Sequence, residues 1–99
     1  MNNNPARLVL TDDGNLQLLG SVTYDSAPYL YRECQRLLLP GIRSLDCGEI
    51  QESDSSAISL LLACRRLANT RAVDLRITGM GEQLLSLARL YGVEDLLTN

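Results

Sequence analysis

Histidine is absent from this sequence of 99 residues, and lysine is absent as well. Without histidine, a Ser–His–Asp triad, a histidine metal ligand and a histidine general base are all excluded. The nine basic residues are arginines scattered along the chain, and 12 acidic residues bring the net charge to −3. A protein that follows a nucleic-acid backbone needs a clustered positive surface. We therefore expect neither histidine-based catalysis nor nucleic-acid binding.

Long apolar runs are also missing. None approaches the roughly 20 residues that a membrane span requires, and the N-terminal residues 1–5 have neither a basic segment nor a hydrophobic stretch of secretory length. The sequence has only three cysteines, Cys34, Cys47 and Cys64. An odd count whose spacing matches no zinc pattern favours reduced, buried thiols in a reducing compartment. We expect one cytosolic domain over residues 1–99, with no cofactor, no metal and no direct membrane insertion.

Two short strand-like runs open the chain, Arg7 to Thr11 and Asn15 to Gly20. The turn signal Asp12-Asp13-Gly14 between them predicts a hairpin. Further on, Ser44 to Gly48 is typical of a strand and is followed by a polar stretch, 49–53, that predicts a loop. The last strand-like run, Val73 to Thr78, alternates apolar and polar residues, which indicates a sheet with one face open to water.

Three segments have apolar residues at helical spacing. The first helix is predicted to start near Asp25 or Ser26, because proline is tolerated only in a first turn, and to stop at Pro40-Gly41. The second begins near Ser55 and closes at Asn69-Thr70. The third ends at Gly92. The apolar faces are formed by Ala27, Leu30, Tyr31, Cys34, Leu37 and Leu38, by Ala57, Leu60, Leu61, Cys64, Leu67 and Ala68, and by Leu84, Leu87, Ala88 and Tyr91.

The predicted element order is β-β-α-β-α-β-α, which belongs to the α/β class. A four-stranded sheet with one wet face must carry its helices on the other face, so the fold should have two layers. The strands joined by the second helix should be parallel, and the leading hairpin makes the sheet mixed.

The most unusual stretch lies where the third strand gives way to the second helix, at Glu52-Ser53-Asp54-Ser55-Ser56-Ala57. Asp54 and Ser55 are both residue types that cap helices, so this stretch could simply start the helix. Alternatively, an exposed Ser55 hydroxyl at a helix N-terminus could be a docking point. A phosphate there would add a charge of roughly −1.5 to −2 and repel an acidic partner.

These residues resemble a known signature. Asp54-Ser55-Ser56-Ala57 before an apolar helix is similar to the D-S-[ST]-G motif of STAS domains, which include bacterial anti-sigma factor antagonists, and the element order agrees with that fold. The resemblance implies that Ser55 occupies the position that a partner kinase phosphorylates in those antagonists. Ala57 departs from the glycine of the signature, and this weakens the case for recognition by a kinase.

A narrower resemblance covers roughly residues 44–97. The run from Leu84 to Val93, with Asp54-Ser55 upstream, is similar to the MlaB family, the STAS subunits of bacterial phospholipid-transporting Mla ABC complexes. This resemblance implies binding to the cytosolic ATPase subunit MlaF, in a complex with the permease MlaE and the lipid-binding subunit MlaD. It also implies a role in outer-membrane lipid asymmetry, from a position peripheral to the inner membrane. The anti-sigma factor antagonist remains the alternative function.

The expected docking surface surrounds the start of the second helix, with Asp54, Ser55 and Ser56 at its centre. Ile58 and Leu62 lie at the edge of the apolar stripe, where they either reach a partner or complete the core. Tyr31 and Tyr91 lie on the apolar faces of the first and third helices and pose the same choice. Arg65 and Arg66, on the polar side of the second helix, are expected to be solvated charges. No base accompanies Ser55 and no G-x-S-x-G elbow exists, so we predict no catalytic residue and no enzyme activity.

Overall fold

The computed structural model describes residues 5–98. Along the chain, it has four strands and four helices within those residues: β1 Arg7–Leu10, β2 Asn15–Val22, α1 Ala27–Leu37, β3 Ser44–Ser53, α2 Ser55–Thr70, β4 Arg76–Thr78, α3 Glu82–Leu90 and α4 Glu94–Thr98. The second helix has the predicted bounds, because α2 runs from Ser55 to Thr70. The first begins where predicted, with Ser26 as its N-cap, but it ends at Leu37, three residues before Pro40. No helix in the described range is long and apolar enough to cross a membrane.

The four strands form one sheet in the order β1-β2-β3-β4. β1 and β2 make the predicted antiparallel hairpin, with Leu8 opposite Leu18. β2 pairs in parallel with β3, and β3 pairs in parallel with β4. The structure therefore confirms the mixed four-stranded sheet and the α/β class.

The two faces of the sheet have different composition, as the alternation in the last strand predicts. Side chains on one face pack under the helices, namely Leu8, Leu16, Leu18, Leu45, Cys47 and Ile77. The other face carries polar and half-exposed residues such as Gln17, Asp46 and Thr78, which lie side by side in the register. The helices close the core from one side with Leu30, Cys34, Leu61, Cys64, Leu84 and Leu97. This is the predicted arrangement of two layers.

The third strand is longer than predicted, and the expected polar loop at 49–53 is wrong. This stretch is extended and pairs with the end of β2, as Gly20 with Ile50 and Val22 with Ser53. The register slips once between Asp46 and Glu49 and once between Ile50 and Glu52, so the alternation of side chains is irregular. Since most residues here are also exposed, the stretch lacks the apolar period by which a strand is recognised.

The last strand is shorter than predicted, and a fourth helix was missed. The N–H of Val73 donates to the Ala68 carbonyl at 2.8 Å, so this backbone completes the end of α2 instead of joining the sheet. Pairing with β3 begins only at Arg76. α4 has five residues, too few to show a helical period, yet its Leu97 is fully buried at 0% exposed.

Candidate functional site

Three loops meet at one edge of the sheet. Because β2, β3 and β4 are parallel, their carboxyl ends lie at the same edge, and each strand is followed there by a helix. The loop before α1 and the start of α2 at Asp54 are therefore neighbours, and the glycine-containing loop before α3 lines a groove together with the end of β3. In open α/β sheets, this edge is where binding sites usually form.

Asp54 is the residue that organises the start of α2. Its backbone is extended, with φ −132° and ψ −169°, and its Oδ1 accepts the Ser56 N–H at 2.8 Å. Its second oxygen, Oδ2, accepts the Tyr24 N–H at 3.2 Å, and its own N–H donates to the Val22 carbonyl at 3.4 Å. Asp54 therefore caps α2 and also fastens the loop between β2 and α1 to it. Of the two cap types that the sequence offers, Asp54 is the cap and Ser55 is not.

The loop held by Asp54 is braced from its other end by Ser26. The Ser26 hydroxyl accepts the Thr23 N–H at 3.0 Å and donates to the Ser21 carbonyl at 2.8 Å. The Ser21 hydroxyl, itself buried, donates to Glu52 Oε1 of β3 at 3.1 Å. Local hydrogen bonds thus give this edge a defined shape, which lowers the ordering cost of binding a partner.

Ser55 is exposed, and its hydroxyl has no hydrogen-bond partner within residues 5–98. One helical stripe leads away from it along α2, because residues three or four apart share a face. The stripe consists of exposed Ser59, half-exposed Leu62 and exposed Arg66. We call Tyr24, Ser55, Ser59 and Leu62 the Ser55 surface. Two of its four side chains are serines, and the hydroxyls of this surface have no hydrogen-bond partner within residues 5–98.

Tyr24 is a member of this surface that the sequence does not reveal. Its side chain is 72% exposed, and its N–H is bonded to the carboxylate of Asp54, thirty positions along the chain. Tyrosine is enriched at protein interfaces, so this exposed side chain is a candidate contact residue. Its place beside Ser55 depends on pairing between distant segments, so no local motif signals it.

The other predicted contact residues are distributed differently. Ile58 is 3% exposed and belongs to the core, so its predicted reach to a partner is corrected here. Leu62 and Tyr31 are half-buried and pack against the core. Tyr91 was expected on the apolar face of α3, but it follows the last residue of that helix and is 52% exposed. It lies at the far end of α3, on the order of 13 Å along the axis from the loop at this edge.

The three cysteines are free and buried, as predicted. Burial raises the pKa of the Cys47 thiol to about 12, so it stays protonated at neutral pH and is a poor nucleophile. For the Cys64 thiol, a hydrogen bond with the neighbouring Cys34 sulfur, together with burial, raises the pKa. Within the described part of the chain, no group of three or more His, Cys, Asp or Glu side chains is arranged to hold a metal.

Comparisons with known proteins show which family and which solved structures this fold is similar to. A family model described as "Mlab, STAS domain" matches residues 8–98. The anti-sigma factor antagonist SpoIIAA in its unphosphorylated form has a similar structure, with a TM-score of 0.70 and 9% sequence identity over 95% of this chain and 86% of that chain. The Bacillus cell fate determinant SpoIIAA in the phosphorylated form has a TM-score of 0.67 and 10% identity over 95% of this chain and 89% of that one.

At this low identity the two SpoIIAA structures establish the fold alone. No curated protein matches the sequence. The family model, in contrast, covers the chain from β1 to α4. The chain belongs to the STAS-domain family, in its MlaB-type branch.

Proposed function

We propose that this chain is a non-catalytic accessory subunit that binds the ATPase of a phospholipid-transporting ABC complex and supports its assembly or activity. In the family's terms, the partner is MlaF, within a complex that also contains the permease MlaE and MlaD. The chain would be cytoplasmic and peripheral to the inner membrane through this partner. The observation that carries the proposal is the exposed Ser55 hydroxyl on a braced helix start, in a chain of the MlaB-type family.

The chemistry of the Ser55 surface suits protein binding better than catalysis. The hydroxyl has no neighbouring base among the described residues, and the nearest carboxylate, Asp54, is already bonded to two backbone N–H groups. The same two bonds hold the backbone of Tyr24 close to the first turn of α2. Tyrosine is enriched at protein interfaces, and a braced loop lowers the ordering cost of binding a partner there.

The test of this proposal is co-purification with the ATPase and measurement of its ATP turnover. We expect the wild-type chain to co-purify and to raise turnover, and Ser55→Glu to do neither. Glutamate at the first helical position favours the helix dipole, so this change adds charge without weakening the fold. The matched control is Ser86→Glu, which places the same charge on an exposed position of α3. Equal behaviour of the two variants, or no effect of the wild-type chain, contradicts the proposal.

A second function, an anti-sigma factor antagonist switched by phosphorylation of Ser55, is supported by one observation. The Ser55 hydroxyl is exposed and without a partner in the described chain, so a kinase could reach it, and the fold is that of SpoIIAA. A phosphate would lie at the N-terminus of α2, where a helix tolerates negative charge. Intact-mass measurement on protein from the native host separates the functions: a phosphorylated fraction favours the antagonist, and its absence together with ATPase binding favours the transporter.

A further inference from the structure

The second half of β3 has a strand neighbour on one side only. β3 runs from Ser44 to Ser53 and pairs with β2 along this length, whereas β4 pairs with it only from Ser44 to Asp46. Residues 47–53 therefore form a sheet edge that no described strand covers. We call this stretch the β3 edge. It ends directly before Asp54 and so adjoins the Ser55 surface.

A close approach of two glycines explains why β4 stops early. Gly79 has φ +73°, and a Cβ built on it would lie 2.7 Å from Asp46 Oδ1 and 2.9 Å from the Gly48 nitrogen. The chain thus turns away from β3 at a point where only glycine fits. The Gly48 N–H donates instead to Asp46 Oδ1 at 2.8 Å. For the backbone groups of the edge beyond Gly48, no side chain among the described residues replaces the missing strand in this way.

The edge opens into a groove, which has the first turn of α3 as its opposite wall. The groove is lined by Cys47, Gly48, Ile50, Gln51, Glu52, Ser53, Gly79, Gly81, Glu82, Gln83 and Leu84. Two of these residues are acidic and none is basic. Glu52 and its neighbour Glu49 are exposed and form no salt bridge with any residue in 5–98, whereas Glu82 is paired with Arg89.

These charges select among the chains that could pair with the edge. Exposed edges invite strand addition, and charged side chains on them discourage the wrong partner. Two copies of the β3 edge would place Glu49 and Glu52 of one chain near those of the other, and opposed like charges destabilise strand pairing. A strand with arginine or lysine side chains would instead place positive charges near Glu49 and Glu52, and opposite charges stabilise strand pairing.

We propose that the β3 edge binds an extended segment of a partner protein that carries basic side chains, by strand addition. Main-chain hydrogen bonds would supply the affinity, and pairing with Glu49 and Glu52 would supply the preference for basic sequences. The inference does not depend on which protein occupies the Ser55 surface. It can therefore be tested on the isolated chain.

The probe is a blocked heptapeptide of alternating arginine and valine, labelled with fluorescein and followed by anisotropy. Two further versions carry N-methyl groups on the arginine amides or on the valine amides. Alternate residues of a strand point their N–H groups to opposite sides, so only one methylated version removes the bonds to β3. We expect the peptide whose methyl groups face β3 to bind at least about tenfold more weakly than the unmethylated parent peptide, and the other methylated peptide to bind like the parent.

Amide chemical shifts identify the site, and protein variants test the charge. The parent peptide should shift the resonances of residues 47–53. Glu52→Gln keeps an oxygen that can accept the Ser21 hydroxyl but removes the charge, and it should weaken binding about two- to fivefold. Asp74→Asn, which removes an exposed charge that does not line the groove, should have no effect.

Three results would overturn the proposal. The first is equal binding of all three peptides, which indicates charge attraction without strand pairing. The second is equal affinity for Glu52→Gln and Asp74→Asn, or shifts confined to other residues. The third is concentration-dependent dimerisation of the unliganded chain with shifts at 47–53, which makes a second copy the occupant.

Discussion

Asp54 and Ser55 are adjacent cap-type residues, and their substitution by alanine should have very different consequences. Asp54→Ala removes the acceptor of the Ser56 N–H, whose loss as a helix cap costs about 1 kcal/mol, within a range of roughly 0.5–2. It also removes the acceptor of the Tyr24 N–H. That second bond is exposed, so water replaces much of it, and we add about 0.5 kcal/mol. The expected loss is about 1.5 kcal/mol.

Ser55→Ala should change the free energy of unfolding by less than about 0.5 kcal/mol, because its hydroxyl bonds to nothing in the described chain. Asp54→Asn should fall between the two, since one amide oxygen can serve the cap but not both N–H groups. Urea unfolding monitored by circular dichroism measures all three. In thermal unfolding, Asp54→Ala should lower Tm by roughly 6–12 °C, as about 4–8 °C accompanies each kcal/mol in a domain of this size.

Two outcomes would refute this order. If Ser55→Ala costs as much as Asp54→Ala, then the serine contributes to the cap and its hydroxyl is not available to a partner. An Asp54→Ala variant as stable as the wild type would mean that the loop before α1 is held by Ser26 alone.

Two further predictions concern the core and its attachments. Arg65 donates to the carbonyls of Leu75, Leu96 and Leu97, so Arg65→Met should lower the free energy of unfolding by about 2–3 kcal/mol. Arg66→Met, at an exposed position, should lower it by less than about 0.5 kcal/mol. Equal losses of the two variants in urea unfolding would contradict this prediction. Burial raises the pKa of Cys47 from 9.0 to about 12, so the folded state holds its proton more tightly, and stability should fall as pH rises from 9 towards 12. The contribution of Cys47 to this slope is at most about 1.4 kcal/mol per pH unit, and Cys47→Ala should reduce it; an unchanged slope would contradict the assignment.

The first three helices and the layer arrangement were predictable because they depend on local periodicity. Pro28 in the first turn of α1 and the apolar stripe of α2 are signals within one segment. The end of β3 was not predictable, since its residues are polar and its strand character comes from pairing with β2. α4 was missed for a related reason: its single buried anchor, Leu97, gives no period.

The site was predictable as a location but not in its details. The sequence identifies the turn at Asp54-Ser55 from residue types and from a family resemblance. Which of the two caps the helix depends on backbone angles that both types can adopt. Tyr24 and Arg65 acquire their contacts from segments about thirty positions away, so Arg65, expected to be a solvated charge, instead ties α4 to α2.

The central claim is that the Ser55 surface contacts a partner protein, and photo-crosslinking in native membranes tests it most directly. p-Benzoylphenylalanine in place of Tyr24 keeps an exposed aromatic side chain beside Ser55. The account predicts a crosslink from position 24 to an ABC-type ATPase, identified by mass spectrometry, and none from the same group at the exposed position of Ser86. A crosslink from position 86 alone, or no protein captured from position 24, would contradict it.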